Sequence, residues 1–264
     1  TYAYTERDLL QKQADINRLK EILVLDRQWV TYPDYNDRAG WDRFLGTFKD
    51  EYIRRGEKRL NYQWQVVKAT DYLAFERTGN RQIMEKPFGA NNGAIADLLM
   101  AELAEGKGRF VDQLINGVFN ACEMTSWALA AHIIVQPSHR ALPAYDYPVI
   151  DLTSGDLGGL LAWTYHFMRP SFDKVDPEIS RRLRHELQTR ILDPYMNNDS
   201  FWWMGRNYNG RMLNNWNPWC NSNALMCFML LEDNRDTLAK AVHLTMESVD
   251  KFLNYIKADG ACEE

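Results

Sequence analysis

Apolar side chains recur at three- and four-residue intervals along most of the chain, and nowhere do they hold the two-residue alternation of a half-buried strand. That one period confines the fold to packed helices. Leu9, Ile16, Leu19, Ile22 and Leu23 form a first stripe, opened at Thr5 and Asp8 by an arrangement like a capping box. Trp41, Phe44, Leu45, Phe48, Tyr52 and Ile53 form a second. Leu60, Trp64, Val67 and Leu73 form a third, which "RTGN" (Arg77 to Asn80) should stop. Further stripes run over Ala94–Leu103, Phe110–Ala121, Leu157–Met168, Asn223–Leu231 and Asp236–Ile256. Asp176 and Pro177 stand in the order of cap then first-turn proline. The reading is all-α, with about ten helices paired as antiparallel hairpins in a single domain over residues 1–264.

Only one connection is long. Gln136 to Asp156, rich in Pro and Tyr, reads as a functional loop. No apolar run approaches the roughly 20 residues of a membrane span. A formal net charge of −5 leaves no electrostatic footprint for nucleic acid. Cys122, Cys220, Cys227 and Cys262 have no metal-ligand or disulfide spacing, so they read as buried free thiols, with no metal or cofactor.

The stretch "NNWNPWCNSN" (Asn214 to Asn223) crowds five asparagines and two tryptophans around a proline. Asn amides compete with helical backbone bonds, so the stretch marks a helix start, with Asn217 as the cap and Pro218 in the first turn. The remaining amides and the helix N-terminus suggest a carboxylate site. Trp202, Trp203, Trp216 and Trp219 stand in polar company, as does Trp127. A flat ring bordered by amides and hydroxyls suits a sugar, whose C–H face stacks while its hydroxyls take directional hydrogen bonds. Trp41 and Trp64 read as core instead. Arg206, Arg211 and Arg140 are the cations suited to an acidic glycan. His132 follows Trp127 by five residues and is a candidate beside it; His139 sits in the long loop, and His166, His185 and His243 read as structural or surface.

Taken with "NACEMTSWALAAHI" (Asn120 to Ile133), "RILDPYMNNDSFWWMG" (Arg190 to Gly205) and "DGACEE" (Asp259 to Glu264), the Asn-rich stretch resembles successive landmarks of the heparinase II/III-like polysaccharide lyases. The resemblance covers most of the chain from about Asn120 onward. It implies an incomplete (α/α) toroid, with the rest of the toroid and a β-rich domain beyond residue 264, in a secreted or periplasmic protein. It implies β-elimination on a uronate-containing glycan, with Asn215 as the catalytic residue that neutralises the C5 carboxylate. Trp127, His132, Trp202, Trp203, Arg206, Trp216, Asn217 and Trp219 are then the substrate-binding candidates. Several alginate and heparin lyases of this kind carry a histidine directly after that asparagine, where this chain has Trp216, and an indole cannot act as a base. The family's protonating tyrosine is expected shortly after "DGACEE".

Two other readings stand beside the lyase. A helical-toroid glycoside hydrolase would place two carboxylates roughly 5–10 Å apart, with Glu123, Asp146, Asp151 and Asp156 as candidates. A noncatalytic glycan-binding domain would bind without turnover.

Overall fold

The computed structural model describes residues 5–207 and 211–262, and among these the regular structure is helical throughout, without a strand. In chain order the helices are α1 (Ile16–Ile22), α2 (Arg38–Leu45), α3 (Lys49–Glu57), α4 (Ala69–Thr78), α5 (Gln82–Glu105), α6 (Val111–Glu123), α7 (Ala130–Ile133), α8 (Leu152–Val175), α9 (Pro177–Leu187), α10 (Asp193–Asn197), α11 (Trp216–Leu231) and α12 (Arg235–Leu253). Short 3₁₀ turns occupy Gly46–Phe48 and Trp202–Met204, and a π turn occupies Gln188–Leu192. No helix among the described residues is long and apolar enough to cross a membrane.

The chain divides into two compact units. The first comprises Thr1–Val30, Ile150–Ala162 and Leu187–Glu264; the second comprises Thr31–Val149 and Trp163–Glu186.

In the second unit α5 is the central element, packed by α3, α6, α4 and α2. Phe88, Ile95, Leu98, Leu99 and Leu103 bury around it, as the length of its apolar run requires. The helix ends at Gly106, whose φ of 69° is a left-handed conformation that a Cβ would strain. The "RTGN" stop behaves likewise: α4 closes on Gly79 at φ 73°. Trp41 is buried as expected and meets Phe44 and Phe167 edge-on. Trp64 is half-buried and lies over Gly117, where a Cβ would come within 2.4 Å of the indole.

In the first unit α11 packs on α12, and α1 packs on α12 through Leu19, Ala14 and Ala239. Cys220, Ala224, Cys227, Phe228 and Leu231 give α11 its buried stripe. The amino-terminal segment is fastened to α12 by hydrogen bonds. Leu10 and Gln11 donate their backbone N–H to the buried Asp250 carboxylate, and Arg7 donates its N–H to Asn254.

Several boundaries depart from the periodicity: α5, α8 and α11 begin well before their apolar stripes, and three further departures have a local cause. The first helix starts at Ile16 rather than near Thr5, because Asp15 is the residue that caps it, while Leu9–Gln13 form turns held by Asp250. The second stripe is two helices, parted at Gly46, whose φ of 53° breaks the α conformation. Residues 62–68 form no helix and no other regular structure. The buried Asn91 of α5 accepts from Gln65 N–H and from the Tyr62 hydroxyl, and donates to the Gln65 carbonyl. One amide thus takes over the hydrogen bonds that a helical turn would have supplied.

Of the four cysteines, Cys122, Cys220 and Cys227 are buried free thiols and Cys262 is exposed.

Candidate functional site

The sequence candidates fall in both units. Trp127 and His132 belong to the second; Trp202, Trp203, Arg206, Asn215, Trp216, Asn217 and Trp219 belong to the first.

In the second unit Trp127 is buried and donates its indole N–H to the Ala121 carbonyl at 2.9 Å. Its ring is part of the packing, so the expectation that it stacks on a sugar is not met by its placement. His132, on α7, is half-buried with Nε2 3.4 Å from an Arg81 guanidinium nitrogen. The long loop lies between α7 and α8 and ends before Leu152, so that Asp156, expected in the loop, belongs to α8; Gln136 organises the loop from within. That fully buried amide donates to the Arg140 and Leu142 carbonyls and accepts from Ala144 N–H. Arg140 is taken up by Glu76, which it meets with a bidentate pair at 2.9–3.1 Å. That pair, with the Ala141 N–H, holds the Glu76 carboxyl below its ordinary range. Arg140 is therefore spent on closing the loop.

The first unit gathers the rest around the start of α11. Trp203 is buried, stacked on Phe201 at 5.5 Å and donating its indole N–H to the Ile150 carbonyl. The Asn217 side chain is fully buried. It donates to the carbonyls of Trp203 and Ser248, and both neighbours being acceptors fixes the orientation of the amide. One turn on, Asn221 donates to the Asn217 carbonyl and the Ser248 hydroxyl, and accepts from the Tyr195 hydroxyl at 2.7 Å. Ser248 Oγ donates in turn to the Met204 carbonyl. This lattice joins α10, the Trp202–Met204 turn, α11 and α12. Burial pushes the Tyr195 hydroxyl well above its ordinary pKa, and that hydroxyl is fully buried and held between Asn221 and Thr245. Burial raises the Cys220 and Cys227 thiols as well.

Asn217 is thus a structural residue inside the helix rather than its cap. The cap position belongs to Asn215, because Pro218, which lacks an N–H, is tolerated as the third helical residue as well as the first. The backbone donors of this turn are all used: Trp216 N–H goes to Asn214 Oδ1, Asn217 N–H to the Asn214 carbonyl and Trp219 N–H to the Asn215 carbonyl. The expected carboxylate site on free backbone N–H groups is filled by the protein itself.

The other candidates lie around this turn. Asn215 is half-buried, and its amide makes no hydrogen bond to a described residue. Trp216 and Trp202 are half-buried with ring centroids 5.3 Å apart. Arg206 and Arg211 are exposed and form no ion pair among the described residues. Trp219 is 41% exposed and donates its indole N–H to Asp156 Oδ1 at 2.7 Å. Asn223 donates to the same oxygen at 2.9 Å. The Asp156–Trp219 pairing could not be read from the sequence, where the two lie 63 positions apart. Tyr208 lies outside the described residues.

No family model matches the chain, and no curated protein matches it either.

Proposed function

We propose that the chain is helical-toroid material of a polysaccharide lyase of the heparinase II/III-like kind, acting on a uronate-containing glycan outside the cytoplasm. The observation that carries this reading is the amide of Asn215, which bonds to no described residue and lies half-buried at the start of α11 next to the Trp202–Trp216 pair. Support comes also from the four sequence landmarks in their order.

The chemistry sets what Asn215 must do. The C5 proton of a uronate is poorly acidic while the adjacent carboxylate is an anion, and a donor to that carboxylate stabilises the charge that develops as the proton leaves. The Asn215 Nδ2–H supplies such a donor without adding a competing charge. Trp216 and Trp202 offer ring faces for the sugar C–H groups, and Arg206 draws the acidic chain toward the turn. Trp216 cannot remove the proton and Tyr195 is closed off, so base and acid come from other residues.

The test is to incubate the protein with a panel of uronate polysaccharides and follow both binding and the ultraviolet absorbance of the new C4–C5 double bond. N215A should lower kcat by about 10²-fold or more, with KM changed only a few-fold, because the contact strengthens chiefly in the transition state. Binding without unsaturated product would instead favour a glycan-binding domain. Saturated reducing ends would favour a hydrolase.

A further inference from the structure

Asp156 sits in the second turn of α8, exposed, and a single oxygen of its carboxylate takes both protein donors. Trp219 and Asn223 are one turn apart on α11, so the carboxylate bridges two successive turns of the facing helix. The approach is close because α8 carries glycine there: a Cβ on Gly155 or on Gly159 would come within 3.1 Å of the Asn223 side chain. Asp156 Oδ2 has no partner among the described residues. The result is an exposed indole locked by a hydrogen bond at its nitrogen, with an open carboxylate oxygen at its edge.

Exposed tryptophans are common and need no ligand to explain them. This one differs in being fixed. An indole free to change rotamer loses entropy on binding, whereas one held by Asp156 has already lost it. Beside a stacking face, a carboxylate oxygen accepts hydroxyl donors and repels a carboxylate or sulfate, so the arrangement selects against the charged sugar that Asn215 suits. We propose that Trp219, Asp156 and Asn223 form a subsite for an uncharged sugar residue, with Trp219 stacking on its C–H face and Asp156 Oδ2 accepting from its hydroxyls. The proposal rests on the glycan-binding part of the preceding reading and adds to it the substrate class: a glycan that contains neutral sugar units as well as uronates.

The test uses the indole N–H resonances of the full chain, with Trp219 assigned by the signal lost in W219F. Cellotetraose, mannotetraose and xylotetraose are titrated in parallel with tetragalacturonate and with tetramethylammonium. At least one neutral tetrasaccharide should shift the Trp219 resonance. Its affinity, measured for every variant by titration calorimetry, should fall about tenfold in D156A and in W219A, the loss of a charge-assisted acceptor or of a stacking contact. W219F, which keeps a ring but not the N–H, should fall between them and the wild type. G159A should behave like a weaker D156A, since the added methyl displaces Asn223. Trp219 and Asp156 are exposed, so these variants remain folded and a loss of affinity reads the subsite itself. A response of Trp219 to tetramethylammonium or tetragalacturonate but to no neutral sugar would overturn the proposal, and so would silence to all probes. Neutral-sugar binding with no response to any uronate would uphold this subsite while sinking the uronate lyase. Uronate elimination that D156A leaves untouched, with Trp219 unresponsive to neutral sugars, would do the reverse.

Discussion

Each unit contains a carboxylate that gathers donors from a neighbouring segment, and the two have opposite characters. Glu102, on α5 of the second unit, is completely buried. Its Oε2 accepts from the Tyr35 hydroxyl at 2.8 Å and Gly108 N–H at 3.0 Å, and its Oε1 accepts from Phe110 N–H at 3.1 Å. It ties the turn between α5 and α6 to the Tyr35 segment. Asp156, in the first unit, is exposed and uses one oxygen. A carboxylate whose oxygens are both engaged by the fold has no further chemistry to offer. One with an open oxygen beside an exposed ring can still receive a ligand.

The comparison breaks most sharply at Glu102. In E102A three donors lose their acceptor, among them the N–H of buried Phe110 and the half-buried Tyr35 hydroxyl, while Gly108 lies in an exposed turn. The expected loss is about 3–5 kcal/mol of unfolding free energy, read from denaturant melts. A loss below about 1 kcal/mol would mean that water satisfies those groups and that Glu102 is not the tie described.

Next in size is the buried lattice of the first unit. N221L removes the acceptor of the Tyr195 hydroxyl and the donors to Asn217 and Ser248. Leucine matches the volume but not the hydrogen bonds, so about 2–3 kcal/mol should be lost. Sugar binding at Trp219 should survive wherever the variant is folded. Selective loss of binding with unchanged stability would place Asn221 in a site rather than in the scaffold.

These two carboxylates and this lattice also mark the limit of what the sequence discloses. Helix ends set by local chemistry were legible: Asp176 with Pro177, and Gly79 in "RTGN", need only their immediate neighbours. Residues 62–68 were not, because the group that takes up their hydrogen bonds is Asn91, 26 positions from Gln65. Polar company marked Trp127, Trp203 and Trp219 alike. Two of the three proved to be core residues satisfied by backbone carbonyls, which leave no trace in side-chain composition. Asn217 looked like a cap because Pro218 follows it, yet proline is compatible with several first-turn positions and only the Ser248 partnership decides which. Asn215, chosen from the family pattern, is the one amide of the turn whose side chain has no protein partner among the described residues.

A smaller effect follows from Tyr35. Burial, and then its hydrogen bond to Glu102, raise its hydroxyl from 10.0 to about 12. The neutral form is favoured in the folded state, so this contribution is fully present below the unfolded pKa near 10. It is lost as pH rises toward about 12, since the unfolded chain releases the proton first. Stability should therefore decline across that window, and Y35F should flatten the decline while being less stable at neutral pH. A wild-type tyrosinate titration with every described tyrosine ionising near pH 10 would contradict the tie between Tyr35 and Glu102.

The smallest expected change in stability is at Asp156, and its smallness is the informative part. D156A removes two hydrogen bonds, yet both donors, the Trp219 indole N–H and the Asn223 amide, lie at the surface and can turn to water. Exposed polar contacts of this kind contribute about 0.5–1 kcal/mol each at most, and much of that returns when solvent replaces the partner. Unfolding free energy should fall by no more than about 1 kcal/mol, well short of the cost at Glu102. The indole, released from its acceptor, should sample more rotamers, visible as broadening of the Trp219 N–H resonance on the same samples used for the sugar titrations. If D156A instead destabilised the protein as much as E102A, Asp156 would be a scaffold carboxylate like Glu102. The contrast between the two units would then collapse, and with it the reason to assign a ligand to the open oxygen.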